Sequence, residues 1–491
     1  MVADQVFQSL LTLDPETLET IPQLAVSRPQ ASNVAEGPYA GGLKFTFDIH
    51  EEAKWADGSP VTAEDYVFTL KVFKIPGLAN PAYQVYLSYL VDVEVDDNNP
   101  KKFHVYFNEQ TWQAEEIAAN LFHILPKYVY DENNLLDKVS LSDLSDPKTA
   151  AAFVQSSEAA QNFIEAFKDP KFSREVITGS GPYEFGEWIS GQRIVLNKKE
   201  NWWGDALADE YPGLQAYPDQ IVFRPIPEDV AAITALKSEE IDLVIAIPPA
   251  DYIDMQNQDI VSDKYQLYNP ESLAHYFLYV NTSDPKLSDK NVRKALAYAI
   301  DKQTIIDEIY EGFGRTTASP VALSSPDYNK ELSPIEYDPE KAKSLLKEAG
   351  WEDSNNNGIV DKMINGALTE LSIEYGYTAG RATSETLGLL VKDFAQAVGI
   401  DIQPTALEFT QGIARLNQKD YELFSGGLQQ QPSWNPKQLW HSSGANRTAF
   451  GNAELDQLID EAELIMDPEE RRPIYLKIQE ILYDEQPIIS L

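Results

Sequence analysis

The sequence predicts an α/β protein of more than one domain, and three observations carry that prediction. At 491 residues the chain exceeds what one hydrophobic core usually encloses, and roughly 150 residues per domain suggests about three. Apolar residues make up 43% of it and aromatics 11%, a composition that separates it from disordered chains despite its charge. Its later part reads LSIEYGY, ETLGLLVKDFAQAVG, IDIQPTALEF and YELFSGGL, a strand, helix, strand, strand succession typical of an α/β lobe.

The elements follow in order. In LKFTFDIH, Leu43, Phe45, Phe47 and Ile49 alternate with polar neighbours, the period of a strand with one buried face. SPVTAEDYVFTLKVF places Thr62 three residues before Asp65 and then Val67, Leu70 and Phe73 at helical spacing, so a capped helix is expected. VDVEVDDNNPKKFHVYF predicts a hairpin turning at residues 97–100. Short strands come next in GSGPYEFGEW, RIVLNKKENWWGD and QIVFRPI, then a helix over 228–237 and the strands IDLVIAI, YQLY and HYFLYVN. LSDKNVRKALAYAIDKQTII opens a helical region with Asp289 as N-cap and Val292, Leu296 and Ile300 on one face. YDPEKAKSLLKEAGW is a further helix, with Pro339 near its start and Gly350 at its end.

Charge and composition exclude several functions. Seventy-eight acids against 39 bases give a net charge of −39, which repels a phosphate backbone or an anionic membrane, so nucleic acid is no partner. The absence of cysteine removes disulfides, thiolate metal sites and a cysteine nucleophile together. The opening MVADQVFQSLL lacks the basic and apolar regions of a signal peptide, and no apolar run approaches the ~20 residues of a membrane span. P-loop, nucleophile-elbow and zincin motifs are absent, and His50, His104, His123, His275 and His441 are scattered without ligand spacing. A cleft hydrolase with two carboxylates is the enzyme alternative, but no residue pair nominates itself. The expectation is a protein that is not an enzyme.

KWADGSPVTAEDYVFTLK, GSGPYEFGEW, NWWGD, YVNTSDPKLSDKNVRKALAYAIDKQTII, YDPEKAKSLLKEAGW and YELFSGGL together resemble, in order and over nearly the whole chain, the family 5 extracellular solute-binding proteins, the peptide-binding components of ABC importers. That resemblance implies a two-lobed, type II periplasmic-binding-protein-like fold with an extra α+β subdomain inserted in the first lobe. The expected boundaries are 1–45 and 171–274 for the first lobe, with 476–491 returning to it, 46–170 for the insertion and 275–475 for the second lobe. Family members carry further sequence at both ends, so the chain reads as cut short there. A monomer in the periplasm or outside the cell is implied, held to the membrane as a lipoprotein through an N-terminal segment beyond this chain. It would close on its ligand by hinge motion and present it to permease subunits.

The resemblance also points to site residues. In peptide-binding relatives the loop after the late second-lobe strand supplies an aspartate for the peptide's α-ammonium. Here that place reads GGLQQQPSWNPKQLW; Gln431 takes the aspartate's position, and no acid occurs from Gly426 to Trp440. A neutral amide accepts a hydrogen bond from an ammonium but does not neutralise it. Leu428, Gln429, Gln430 and Gln431 beside Trp434 therefore suit either a peptide or a neutral oligosaccharide, with packing of Trp434 and Trp440 against their own lobe as the alternative. Arg381 falls where dipeptide-binding relatives place a carboxylate-binding arginine, against the reading of a solvated surface arginine. Tyr276 falls near a lobe crossing, where it faces either ligand or core. Ser180 and Tyr183 of GSGPY read as a ligand-facing turn or as one that holds its lobe together.

No cofactor is required, but WEDSNNNGIVDK leaves a structural calcium ion open. Asp353, Asn355 and Asn357 offer side-chain oxygens, Ile359 a carbonyl and Asp361 a further ligand, with Gly358 at the turn. Ile364 stands where an EF-hand loop has its bidentate glutamate, so binding on the order of 10⁻⁴ to 10⁻³ M is expected. The competing reading is a polar turn whose asparagines bond their own backbone.

Overall fold

A computed structural model describes residues 2–78, 81–258, 261, 263–430 and 433–491. Gln431, one of the candidate ligand residues, lies outside the described residues. The chain divides into two compact units, Met1–Ile226 and Pro227–Leu491.

The first unit is built on an antiparallel sheet in the order Ser32–Asn33, Leu43–Asp48, Lys102–Phe107, Leu90–Val95. The expected alternation is what buries it: Leu43, Phe45 and Phe47 point inward with Phe103, Val105 and Phe107 of the hairpin strand. Over this face lies the helix Ala63–Lys74, whose Tyr66 and Leu70 pack on the sheet while Phe68 and Val72 join a second cluster with Phe163. The cap read from sequence forms. The buried Asp65 carboxylate accepts the Thr62 N–H at 3.0 Å and also takes the Trp55 indole and the Lys127 N–H. A three-stranded antiparallel sheet, Tyr183–Ile189, Arg193–Lys198 and Gln220–Phe223, completes the unit. Ser180 and Tyr183 are structural here. The Ser180 carbonyl accepts both the Trp202 and Trp203 indoles, and the Tyr183 hydroxyl donates to the Pro218 carbonyl.

The second unit is a mixed five-stranded sheet in the order Asp401–Leu407, Ser372–Thr378, Leu423–Gln429, Ala274–Val280, Ile488–Ser490. The first three strands are parallel, and Ala274–Val280 runs antiparallel to both its neighbours. One face packs Leu278, Ile373, Tyr375 and Ile402 against the helices Lys290–Ala299, Pro339–Glu348 and Ala382–Gln396. The other packs Phe277, Tyr279 and Phe424 against Phe409–Gln418, Ala453–Glu463 and Pro468–Glu485. Asp289 caps its helix as expected, its carboxylate accepting the Asn291 N–H at 2.8 Å. Among the described residues no helix is long and apolar enough to cross a membrane.

Three local expectations change. The segment 476–491, expected to return to the first lobe, contributes the Ile488–Ser490 edge strand beside Ala274–Val280. IDLVIAI and YQLY form no strand. Ile241, Val244 and Ile247 turn into a small cluster with Leu236 while Leu243 and Ile245 stay 74% and 64% exposed. An alternating pattern becomes a strand only where a neighbouring edge accepts its hydrogen bonds.

Candidate ligand-binding site

The sheet of the second unit has a topological switch point. From Ser372–Thr378 the chain reaches one neighbour, Asp401–Leu407, through the helix Ala382–Gln396 on one face. It then passes through Phe409–Gln418 on the opposite face to the other neighbour, Leu423–Gln429. The connections leaving the carboxyl ends of Ser372–Thr378 and Leu423–Gln429 diverge, and such a crevice is where open α/β sheets hold ligands.

Three of the candidate residues are exposed in this unit. Tyr276 pairs in register with Gly427 and is 50% exposed; its ring stacks on that of Tyr310 with centroids 5.9 Å apart and planes 28° apart. Gln429 is exposed opposite Ala274. Arg381 follows the left-handed Gly380 (φ +84°) and stands exposed at the N-terminus of the helix Ala382–Gln396. Its guanidinium makes no ion pair or hydrogen bond with any described residue. A helix N-terminus with a free cation favours an anionic ligand group.

Gln430, Leu428 and Trp434 bond or pack within the unit. Gln430 is tied down twice, its N–H to the Leu273 carbonyl at 3.0 Å and its Nε2 to the Pro320 carbonyl at 2.9 Å. Leu428 packs into the core on the Phe277 face of the sheet. Trp434, expected to offer a stacking face, is only 6% exposed and meets Tyr475 edge-on at 5.2 Å. Trp440 is likewise buried. Helices that are distant in sequence supply enough apolar surface to draw both indoles inward, so the aromatic face at this edge comes from Tyr276 instead.

Sequence reasoning missed Tyr310, Glu271 and Arg315. Burial raises the Tyr310 hydroxyl above its ordinary pKa, with Tyr276 adding to the effect. Five residues before Tyr276, Glu271 pairs with Arg315 at 2.5 Å, their side chains 51% and 68% exposed. Nothing local marks these residues, because each is defined by its partner across the edge. Next to Tyr276, His275 is buried, its Nε2 3.1 Å from Ser490 Oγ and its Nδ1 without a partner among the described residues; desolvation lowers its pKa to about 4.

The 353–361 loop is a self-bonded turn. Asp353 accepts the N–H groups of Asn357 and Gly358, Asn355 accepts that of Asn357, and Asn357 accepts that of Ile359. Asp361 is buried and holds the N–H and hydroxyl of Ser354. Among the described residues no three His, Cys, Asp or Glu side chains are grouped to hold a metal ion.

A family model described as bacterial extracellular solute-binding proteins, family 5, middle region, matches residues 19–450. The chain belongs to this family. Among curated relatives, this family 5 protein is 26% identical over 465 residues to the oligopeptide-binding protein AppA of Bacillus subtilis, covering 92% of this chain and 75% of that one. It is also 26% identical over 470 residues to heme-binding protein A of Haemophilus influenzae, covering 92% and 76%. Solved structures share its fold. Bacillus subtilis AppA in complex with a nonapeptide matches with a TM-score of 0.73 at 23% identity, covering 100% of this chain and 87% of that one. Brucella suis NikA in complex with Fe(III)-EDTA matches with a TM-score of 0.76 at 21% identity, covering 100% and 88%. The fold class is thus that of the type II periplasmic binding proteins, and the family's task is extracellular solute binding.

Proposed function

We propose that this family 5 protein captures a peptide-like solute and delivers it to the permease of an ABC importer. The observation that carries the reading is the edge at the switch point: a half-exposed Tyr276 stacked on Tyr310, the exposed amide of Gln429 and the exposed guanidinium of Arg381, which pairs with none of the described residues. An aromatic floor with an amide takes up side chains and peptide groups, and Arg381 at a helix N-terminus takes a terminal carboxylate. The oligopeptide-binding relatives agree with it. The protein acts as a monomer at the cell surface or in the periplasm and performs no chemistry on its cargo.

A neutral oligosaccharide is the second reading, favoured by the lack of any acid between Gly426 and Trp440 and by the same aromatic and amide surface. A thermal-shift screen of mixed peptides against plant and bacterial oligosaccharides separates the two, since ligand at a hundredfold excess over Kd stabilises by about 2.7 kcal/mol. Small-angle scattering with the ligand so found should show compaction. A shift from oligosaccharides alone would overturn the peptide reading; turnover of the ligand, abolished by a single carboxylate substitution, would favour an enzyme. The 353–361 loop supports itself through its own hydrogen bonds in this reading and needs no calcium.

A further inference from the structure

Two Asn–Gly steps stand in the sequence, Asn357–Gly358 and Asn365–Gly366, and the structure sets them apart. Both are exposed. The second is the turn of a hairpin between Asp361–Ile364 and Ala367–Glu370, in which Ile364 pairs with Ala367. Asn365 and Gly366 have φ of +50° and +85°, the two left-handed residues of a type I′ turn. Neither the Asn365 amide nor the Gly366 N–H bonds to any described residue, and the space beside Gly366 where a β-carbon would stand is open. The first step is locked. Gly358 N–H donates to Asp353 Oδ2 at 2.9 Å, Asn357 Nδ2 donates to Glu370 Oε1 at 2.6 Å, and Asn357 Oδ1 accepts the Ile359 N–H at 2.9 Å.

We propose that Asn365 is a site of spontaneous covalent modification, deamidating through a succinimide to aspartate and isoaspartate, and that Asn357 is held against the same reaction by its hydrogen bonds. Hydroxide takes the proton from the Gly366 nitrogen, which attacks Asn365 Cγ. The new N–Cγ bond closes a five-membered imide, and the side-chain nitrogen leaves as ammonia, taking a proton from water and restoring the hydroxide. Water then opens the ring. Attack at Cγ breaks the new bond and leaves aspartate; attack at the main-chain carbonyl breaks the original peptide bond and leaves the chain running through the side chain, as isoaspartate. The balance is water in and ammonia out. At Asn357 the attacking nitrogen is held by Asp353 and the side-chain amide by Glu370 and Ile359, so the two cannot meet until those bonds open. Either product adds a negative charge to a chain already at −39. Aspartate keeps the turn, since Asp-Gly also suits type I′. Isoaspartate lengthens the main chain inside a two-residue turn, which breaks the pairing of Ile364 with Ala367.

The experiment incubates the full chain in mildly alkaline buffer at physiological temperature, folded and in parallel denatured in urea. Peptide mapping by mass spectrometry follows the exchange of NH₂ for OH at each asparagine, and protein isoaspartyl methyltransferase labels the isoaspartate. In the folded protein Asn365 should convert at least about tenfold faster than Asn357, as the bonds that must open first predict. In urea the two should convert within a few-fold of each other. Asp353→Ala, which frees the Gly358 N–H, should raise the rate at Asn357 and leave that at Asn365 unchanged. Amide exchange over 361–370 should rise in the isoaspartate fraction and stay parental in Asn365→Asp. Folded protein that keeps Asn365 intact while the urea-denatured chain converts overturns the site, and equal conversion of both asparagines in the folded protein overturns the lock, as does an Asn357 rate unmoved by Asp353→Ala. An isoaspartate fraction with parental exchange overturns the breaking of the turn.

Discussion

The Tyr276 ring lies over Gly427, its cross-strand partner, so closely that a β-carbon at position 427 would come within 3.1 Å of it. A side chain there makes the ring give by a few tenths of an ångström, against its stack with Tyr310. Because Tyr276 is half exposed, the ring can move without disturbing the core. Gly427→Ala should therefore leave the melting temperature nearly unchanged while weakening ligand binding by about tenfold, ~1.4 kcal/mol. Titration of the variant with the ligand found by screening checks this; a fall in stability with unchanged affinity would make the glycine a packing residue.

Trp434 is expected to act on stability and not on affinity. Its indole is buried against Tyr475, and removing a buried aromatic costs about 3–5 kcal/mol. Chemical denaturation of Trp434→Ala should show a loss of that size, with Trp434→Phe losing less. A Trp434→Ala protein of parental stability that no longer bound ligand would return the indole to the ligand surface.

His275 gives part of the acid sensitivity. Its folded-state pKa is lowered to about 4 from an ordinary value near 6.5. Between those values the unfolded chain takes up a proton that the folded chain refuses, so stability falls as pH drops from about 6.5 toward 4. The full difference is worth roughly 3 kcal/mol. His275→Phe, which keeps a ring beside Phe277, should flatten that part of the stability profile relative to the parent. Parallel acid limbs for the two proteins would rule His275 out as a contributor.

The 353–361 loop should be silent to calcium. Its carboxylate and amide oxygens already accept main-chain N–H groups, so millimolar calcium should produce neither heat nor a melting shift. Gly358, at φ +90°, is needed for the turn itself, and Gly358→Ala should cost about 1 kcal/mol. A calcium-dependent melting shift that Asp353→Ala abolishes would establish a metal site.

Much of the fold was legible because its signals are short-range. The alternation of Leu43, Phe45 and Phe47 needs only a buried face to become a strand, and one exists. Thr62 with Asp65, and Asp289 with Asn291, form caps within a few residues of one another. Of the candidate site, Tyr276, Gln429 and Arg381 are nominated through the resemblance in motif order, and all three are exposed.

The sequence by itself determined the element types, the capping chemistry, the absence of thiol chemistry and, through the order of its motifs, the family. Only the tertiary structure decided which aromatic ring faces outward. Trp434 is buried by Tyr475, 41 residues away, and Tyr276 is left open on Tyr310, 34 residues away. It also decided that Ile488–Ser490 pairs with Ala274–Val280 and that IDLVIAI pairs with nothing described. Periodicity and capping depend on neighbours a few residues away, which a sequence displays. Burial, stacking and strand pairing depend on which distant surfaces meet, and that is settled only when the whole chain packs at once.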